Sequence, residues 1–294
     1  MNESLGPFGF VGLGQMGGPM SANIARAGHM VIGFDIAGTE GRLPEGARAA
    51  ASLAELAGQV ETVFVSVPDG RASLAVAREL AAAPGRLRLV VDLSTIGPTA
   101  AREAAEILSG AGVGFADAPV SGGRSGAIAA TISLMWAGDR GAFERLLPVL
   151  KAFSGNPFHV GDAPGQGQAI KLLNNFLSAT AMAATSEAVL FGLSQGLDMK
   201  SILDVVNVSS GRNTASADKF PNRVLTGTFD AGFYSSLLAK DVQLYRDQVA
   251  LAGSPDRLGS VVGELWNACA AAGDATTDFT HIFSFVRDGK VPRG

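Results

Sequence analysis

Three polar residues interrupt an otherwise apolar stretch, "QAIKLLNNFLSATAM", at residues 168–182. The pattern predicts a helix, and Lys171 and Asn175 are four positions apart, so both lie on one face of it. A lysine amine can accept or donate a proton, and an amide beside it can hydrogen-bond the same small molecule. The alternative is structural, because a lysine in the first turns of a helix usually extends its charge to water. Asn174 lies off that face, and we expect it to brace backbone at most.

The second candidate site is a glycine loop near the start of the chain. "GFVGLGQMGGPM" places Gly12, Gly14 and Gly17 in G-x-G-x-x-G spacing, after a predicted strand and before a predicted helix. The three glycines permit a tight turn, close approach to a pyrophosphate, and close packing of helix on strand. The phosphates then lie on the N–H groups of the helix start. The loop also contains Leu13, Gln15 and Met16. With 38 glycines in the chain the spacing alone is weak, and its strand–helix context makes it a dinucleotide-binding prediction.

An acidic residue follows the second predicted strand, as such a site requires. Asp35 in "GFDIAG" stands where a carboxylate can bind the adenosine ribose hydroxyls, and its charge repels the extra phosphate of NADP. Arg42 is the nearest arginine, across a turn. The sequence therefore favours NAD, with NADP less favoured. The alternative is that Asp35 only ends a strand.

Two further strand ends and one loop belong to the same edge of the predicted sheet. "SVPDG" (66–70), with Val67 and Pro68, and "DLSTIGP" (92–98) end the third and fourth strands, where an open α/β sheet binds its ligand. Ser94 or Thr95 could equally cap the next helix. "DAPVSGG" (117–123) ends the fifth strand with consecutive glycines, whose N–H groups can hold an anion with the Ser121 hydroxyl. The alternative for this loop is a plain turn.

The elements that must position these residues divide the chain into two halves. Strand candidates alternate with helices that begin near Gln15, Leu53, Arg71 and Pro98, which predicts a parallel sheet covered on both faces. The strand candidates are residues 8–14, 30–35, 62–68, 88–95, 113–120, 130–138 and 156–161, with a helix at 141–151 before the last. After the turn-rich 161–168, a long apolar helix to about Gln195 must be surrounded by protein. Further helices are predicted near 199–208, 213–225, 234–252, 256–272 and 279–287.

The predicted fold class is thus α/β. A Rossmann-type, doubly wound parallel sheet at residues 1–163 is followed by an all-α domain built on one long helix at residues 164–294. The 294 residues can bury two cores, and 47% hydrophobic with 17% charged residues excludes a disordered chain.

Composition also limits the partners. The net charge of −4 and the lack of a basic block argue against nucleic acid and anionic membranes. Lys, Asn, Glu or Arg break the Ala-rich runs, so no segment is predicted to span a membrane. No signal peptide is recognised either, and a cytoplasmic protein is expected. Cys269 should be a buried core residue, the three histidines should be structural, and no metal site is predicted.

Five segments resemble, in order and approximate spacing, the β-hydroxyacid dehydrogenase family. They are "GFVGLGQMGGPM", "DLSTIGP", "DAPVSGG", "GQGQAIKLLNN" and "LLAKDVQL". That family includes 3-hydroxyisobutyrate dehydrogenase and tartronate semialdehyde reductase. The resemblance implies a catalytic lysine at Lys171, with a small carboxylate substrate held by Asn175, Ser121, Gly122 and Gly123. It also implies cofactor contacts near Pro68, Thr95 and Lys240, and a homodimer or homotetramer.

The chain departs from the family at positions that leave its substrate open. Relatives usually carry Gly-Thr where this chain has Ala130-Thr131, and Arg124 and Arg212 could each contact a substrate anion or be solvated surface residues. A semialdehyde reductase of the tartronate, succinic or sulfolactaldehyde type is the main alternative. A non-catalytic dinucleotide-binding sensor is the alternative from another class, disfavoured because the lysine, the amide and the Ser-Gly-Gly loop are all intact.

Overall fold

The computed structural model describes residues 6–83 and 85–291. It contains two compact units, the first ending at Lys171 and the second beginning at Leu172.

The first unit is built on one mixed sheet, to which the described residues contribute nine strands. They are β1 Phe8–Val11, β2 Val31–Phe34, β3 Arg48–Ala49, β4 Thr62–Val65, β5 Leu89–Asp92, β6 Gly114–Asp117, β7 Val120–Ser121, β8 Ile132–Ala137 and β9 Ser154–Gly161. Their order is β3-β2-β1-β4-β5-β6-β8-β7, with β9 also pairing with β8. The first six strands are mutually parallel, and the chain reverses its winding direction between β1 and β4. In open α/β sheets ligands bind at the carboxyl ends of the strands at such a switch point.

Six helices in the described residues cover this sheet. They are α1 Gly17–Arg26, α2 Leu53–Gln59, α3 Gly70–Ala82, α4 Pro98–Ser109, α5 Gly123–Ala129 and α6 Arg140–Phe153. Both faces of the sheet are buried: Phe64 belongs to one hydrophobic cluster, whereas its neighbours Val63 and Val65 belong to another. Successive side chains of a strand point to opposite faces, so continuous apolar strands are what a doubly covered sheet requires. The predicted Rossmann-type unit is confirmed.

Several local features differ from the predictions. β8 runs antiparallel to β6 and β7, so the sheet is not wholly parallel. The predicted strand 113–120 is interrupted because Pro119 has no N–H to donate to a ladder, and the chain resumes as β7 and then turns into α5. Ala130, predicted to begin a strand, instead adopts a left-handed conformation (φ 57°) that ends α5. The two-residue strand β3 was not predicted.

The second unit is helical. Its described elements are most of α7 Gln166–Ser194, then α8 Met199–Val206, a π-helix Ala215–Val224, α9 Ser235–Ala252, α10 Arg257–Ala272, a 3-10 turn Phe279–His281 and α11 Ile282–Asp288. The segment predicted as an ordinary helix at 213–225 is a π-helix that contains Pro221. Proline lacks an N–H, and its ring collides with the carbonyl four residues earlier. An α-helix is therefore disfavoured at Pro221. The predicted all-α unit is confirmed, and Cys269 is fully buried in its core, where burial raises the pKa of the thiol to about 11.

Helix α7 is long enough and apolar enough to cross a membrane by length and composition, so the prediction that no segment meets those criteria was wrong. Its apolar residues have another explanation within the second unit. Ala179, Met182 and Val189 are buried in a cluster with Trp266, whose indole Nε1 donates to the Ala179 carbonyl oxygen at 3.1 Å. Core helices commonly have this composition.

The division between the two units falls inside α7, after its first turns. The predicted domain boundary lies earlier, between residues 163 and 164, close to the start of the helix. That boundary stays a prediction, because a continuous helix belongs to both units.

Candidate active site

The glycine loop joins β1 to α1, and two of its glycines are required by the fold itself. Gly12 has φ 87°, and a Cβ there would lie 2.1 Å from the Ser66 carbonyl oxygen. A Cβ on Gly17 would lie 1.9 Å from the Gly12 carbonyl oxygen. Around Gly14, in contrast, no atom lies within 4 Å of an added Cβ. The loop is thus packed closely on the sheet side and open at Gly14, as backbone approach by a pyrophosphate requires.

Asp35 fixes this loop to the end of β2. Its Oδ2 accepts the Leu13 N–H at 2.7 Å, and its Oδ1 accepts the Ala37 N–H at 2.8 Å. Arg42 Nη1 lies 3.6 Å from Asp35 Oδ2. The Asp35 carboxylate therefore does more than end a strand. Arg42, which the sequence placed only across a turn from it, lies close enough to form an ion pair.

Hydrogen bonds of Ser94 connect the segments that follow β4 and β5. Ser94 Oγ accepts the Val67 N–H at 2.9 Å, and the Ser94 N–H donates to Asp92 Oδ1 at 2.9 Å. Asp92 also accepts the Ser73 hydroxyl. Burial raises the pKa of Asp92, and these hydrogen bonds oppose that shift. The cap of α4 is Gly97, with no side-chain hydrogen bond, so the alternative that Ser94 or Thr95 caps this helix is wrong.

The Ser-Gly-Gly loop leads from β7 into α5, and its backbone needs glycine at two positions. Gly122 has φ 135° and Gly123 has φ 65°, backbone conformations that residues other than glycine rarely adopt. A Cβ on Gly122 would also lie 3.0 Å from Ile132 Cγ2. The glycines are therefore required by backbone geometry, and they keep the loop at Ser121 free of side-chain bulk.

Lys171 and Asn175 both lie on α7 and both are buried, with 8% and 6% of their surface exposed. Burial decides against the alternative of a lysine that extends its charge to water. In the second unit Asn175 Nδ2 donates to Asp241 Oδ2 at 2.6 Å. Lys240 Nζ lies 3.2 Å from Asp241 Oδ1, an ion-pair contact that lacks hydrogen-bond geometry. Asp241 therefore orients Asn175 and sits beside the predicted cofactor contact Lys240.

We expect Asn175→Ala to lower the free energy of unfolding by about 1–3 kcal/mol, because it leaves the buried Asp241 carboxylate without its hydrogen-bond donor. Urea unfolding followed by circular dichroism measures this loss. Asn222→Ala is the matched control, since Asn222 Nδ2 makes the same kind of bond to Asp218 Oδ1 at 3.0 Å on the exposed surface. Equal losses in the two variants would contradict the assigned role of Asp241.

Comparison with known proteins identifies the family. The model for the NAD-binding domain of 6-phosphogluconate dehydrogenase matches residues 7–161. A second model, described as NAD-binding of NADP-dependent 3-hydroxyisobutyrate dehydrogenase, matches residues 165–286. A probable 3-hydroxyisobutyrate dehydrogenase of Mycobacterium tuberculosis is 36% identical over 286 residues, which cover 95% of this chain and 97% of that protein. The chain belongs to the β-hydroxyacid dehydrogenase family.

Two further β-hydroxyacid dehydrogenase relatives bear on its chemistry. An NAD-dependent L-serine dehydrogenase of Pseudomonas aeruginosa is 34% identical and covers 93% of this chain and 95% of its own length. A solved structure of Mycobacterium tuberculosis 3-hydroxyisobutyrate dehydrogenase with L-serine superposes with a TM-score of 0.87 at 33% identity, covering 96% of this chain and 99% of that one. This β-hydroxyacid dehydrogenase is accordingly an NAD(P)-dependent oxidoreductase.

Within the first unit, hydrogen bonds join predicted site residues directly, Leu13 to Asp35 and Val67 to Ser94.

The remaining polar candidates have different surroundings. Arg124 and Arg212 are exposed, which agrees with the alternative that they are solvated surface residues. Asn174 Nδ2 donates to the side-chain oxygen of Asn175 at 3.2 Å, and the bracing of backbone expected of Asn174 stays a prediction. In residues 6–83 and 85–291 no cluster of three or more His, Cys, Asp or Glu residues could hold a metal ion.

Three buried polar residues of this β-hydroxyacid dehydrogenase were not among the predicted site residues: Asp117, Gln168 and Asp241. All three stand inside segments that were already singled out, "DAPVSGG", "GQGQAIKLLNN" and "LLAKDVQL". A polar residue next to a functional one within an apolar stretch is a signal that could have found them. Their partners are distant in sequence, so the sequence did not indicate what they bind.

Proposed function

We propose that this protein is an NAD-preferring dehydrogenase of small β-hydroxy acids, with 3-hydroxyisobutyrate as the first substrate to test. The observation that carries the proposal is the burial of Lys171 and Asn175 on one face of α7. A cation and an amide are costly to bury, so their place in an apolar helix requires a function or compensating partners. The family and the names of the similar dehydrogenases support the choice of substrate class.

The glycine loop suits a nicotinamide dinucleotide, because its backbone is tightly packed at Gly12 and Gly17 and open at Gly14. When bound, the cofactor supplies the acceptor for the hydride of the substrate. We propose that Leu13, Gln15 and Met16 contribute backbone contacts, that Asp35 binds the adenosine ribose, and that Val67, Pro68, Thr95 and Lys240 complete the cofactor contacts.

The substrate carboxylate is assigned to the Ser-Gly-Gly loop. Ser121 offers a hydroxyl, and Gly122 and Gly123 offer N–H groups on a segment with no bulky side chain. Asn175, held by Asp241, would donate or accept a hydrogen bond to the substrate and limit its rotation. Fixing both ends of a small β-hydroxy acid restricts its pose, and such restriction accounts for a large share of catalysis.

Lys171 is assigned as the general acid and base. During oxidation its neutral amine accepts the hydroxyl proton as the hydride leaves the carbinol carbon, and the product is a semialdehyde. During reduction the ammonium returns that proton to the carbonyl oxygen. Protons and electrons balance in both directions, so a semialdehyde reductase uses the same residues in the same roles.

L-Serine is the second candidate substrate. A serine dehydrogenase is among the similar proteins, and the similar Mycobacterium tuberculosis structure contains L-serine. L-Serine and 3-hydroxyisobutyrate are both three-carbon-chain β-hydroxy acids and differ in the substituent on the α-carbon, an amine in one and a methyl in the other. An α-ammonium needs a hydrogen-bond acceptor in the site, whereas a methyl needs an apolar contact.

A turnover screen tests the proposal. Purified protein is assayed by nicotinamide absorbance, with NAD and with NADP, against 3-hydroxyisobutyrate, L-serine, glycerate, 3-hydroxypropionate and threonate, and in reverse against the semialdehydes. We expect the highest kcat/KM with NAD and a three-carbon-chain β-hydroxy acid. NADH binding without turnover on any of these compounds would favour the sensor alternative.

Asp35→Asn is expected to lower kcat/KM with NAD and to narrow its advantage over NADP. The carboxylate is replaced by an amide that binds ribose less strongly and no longer repels a 2′-phosphate, at a cost of roughly 1.5–3 kcal/mol with NAD. The cofactor preference is measured as the ratio of the two kcat/KM values.

Arg42→Gln is the companion variant for this prediction, because Arg42 lies beside Asp35 and is the cation nearest to it. It should lower residual activity with NADP and leave activity with NAD nearly unchanged. A wild-type protein that prefers NADP would contradict the assignment of Asp35.

We further propose a homo-oligomer, a dimer or a tetramer. Leu177 and Phe191 are large apolar side chains on the long helix α7, and they are 60% and 68% exposed. Light scattering coupled to gel filtration distinguishes monomer, dimer and tetramer directly.

A further inference from the structure

Gln168, in the first turn of α7, binds a loop that is far away in the sequence. The side chain is fully buried, and its Oε1 accepts the N–H groups of Ile96 at 2.9 Å and Gly97 at 3.1 Å. Its Nε2 donates to the Ser94 carbonyl oxygen at 2.9 Å. One amide thus holds three backbone groups of the segment 94–97, which contains Thr95.

Asp117, at the end of β6, binds the first turn of α7 and the residue just before it. Its Oδ1 accepts the Gly165 N–H at 2.7 Å and its Oδ2 accepts the Gln168 N–H at 2.8 Å. Burial raises the pKa of Asp117 to about 6, and these two backbone donors oppose the shift. The start of α7 is therefore tied to β6 by two hydrogen bonds and to the loop after β5 by three.

These hydrogen bonds connect the loop that contains Thr95 to the helix turn that leads to Lys171. Thr95 lies inside the loop that Gln168 holds, and Lys171 follows Gln168 by three residues, less than one helical turn. The helix between Gln168 and Lys171 is rigid, so any displacement of the Ser94–Gly97 loop from Gln168 changes the separation of Thr95 and Lys171.

We propose that Gln168 is a positioning residue that sets the separation between the Thr95 loop and the Lys171 amine, with Asp117 fixing the helix turn on which it stands. The inference rests on the proposed function, in which Thr95 contacts the cofactor and Lys171 transfers the proton. Gln168 touches backbone and takes part in neither transfer. Its effect is on geometry, and geometry acts on the hydride and proton transfer step more than on binding.

Gln168→Met tests the proposal, because methionine keeps the length of the side chain and removes all three hydrogen bonds. We expect kcat to fall about ten- to hundredfold, with KM for NAD and the Kd of NADH little changed. The primary deuterium isotope effect on kcat, measured with substrate deuterated at the carbinol carbon, should rise as hydride transfer becomes rate-limiting. A purely structural role would lower the thermal midpoint without this rise.

Gln166→Met is the matched control on the same helix turn. Gln166 is exposed, and its Oε1 accepts only the nearby Ala163 N–H at 3.0 Å among the contacts described for it. Its kcat and isotope effect should equal those of the wild type. Asp117→Asn is the second variant. Its amide keeps one acceptor oxygen for the N–H groups of Gly165 and Gln168, so we expect kcat to fall with KM little changed, by less than in Gln168→Met.

The outcomes separate the two claims. A wild-type protein that turns over a β-hydroxy acid, with Gln168→Met and Asp117→Asn unchanged in kcat and isotope effect, overturns the positioning role alone. A wild-type protein with no turnover on the whole panel overturns the proposed function, and the positioning role with it. A Gln168→Met variant with a lower kcat, a clearly changed KM and an unchanged isotope effect also overturns the positioning role.

Discussion

Lys171→Ala should lower kcat for oxidation of a small β-hydroxy acid by about 10²–10⁴-fold, the range attributed to general acid–base catalysis. The alanine cannot accept the hydroxyl proton, so oxidation would have to transfer it to water. The Kd of NADH should be nearly unchanged, because Lys171 lies on α7 and not on the glycine loop. Steady-state kinetics and NADH fluorescence titration measure the two quantities.

Lys171→Arg separates proton transfer from charge. Arginine keeps the positive charge near the substrate carboxylate but does not lose its proton at accessible pH, so it cannot act as a base. We expect it to be nearly as inactive as Lys171→Ala. Activity close to wild type in the arginine variant would show that Lys171 contributes only its charge.

Lys200→Ala is the control for general effects of removing a lysine. Lys200 is 72% exposed on α8 and pairs with Asp204 at 2.7 Å, four residues along the helix. Exposed pairs of this kind contribute little to stability, so its kinetics and thermal midpoint should match the wild type. If Lys171→Ala kept kcat within a few-fold of wild type while Lys200→Ala behaved normally, the catalytic assignment would be wrong.

The second large effect is expected at the glycine loop, where two glycines should respond in opposite ways. Gly17→Ala should destabilise the protein by about 3 kcal/mol, because its Cβ would lie 1.9 Å from the Gly12 carbonyl oxygen. Alanine favours a helix over glycine by about 1 kcal/mol, but a clash with backbone outweighs that gain. Thermal and urea unfolding measure the loss.

Gly14→Ala should leave stability within about 0.5 kcal/mol of wild type, since no atom lies within 4 Å of the added Cβ. Its methyl would instead occupy the open side of the loop, where a pyrophosphate approaches the backbone. We expect the Kd of NADH to rise at least about tenfold, or 1.4 kcal/mol. NADH binding as tight as in the wild type would place the cofactor away from this loop.

The order of elements in the first unit could be predicted because its signals are local. Continuous apolar strands alternating with helices predicted the parallel core of the sheet, and the glycine loop predicted the turn between β1 and α1. The reversed direction of β8 could not be predicted in this way, since strand direction depends on pairing with β6 and β7. The π-helix around Pro221 was also missed, because apolar periodicity does not distinguish it from an α-helix.

The candidate site shows the same limit. Helical spacing placed Lys171 and Asn175 on one face of a helix, and the residue types named the chemistry they could perform. Their burial, and the partner that orients Asn175, came from tertiary structure. Asp241 is separated from Asn175 by 66 residues in the sequence. Similarly, Asp35 was predicted to bind ribose, and its hydrogen bond to the glycine loop emerged only from the fold.

By itself the sequence determined the fold class, the loop for the dinucleotide and the lysine that interrupts an apolar helix, because each depends on residues close together in the chain. Only the tertiary structure decided how the lysine-bearing helix is held, through Asp117 and Gln168, whose partners are 48 to 74 residues away. Hydrogen bonds between distant segments leave no periodic pattern in a single sequence. They form because folding buries those polar groups, and a buried polar group without a partner costs free energy.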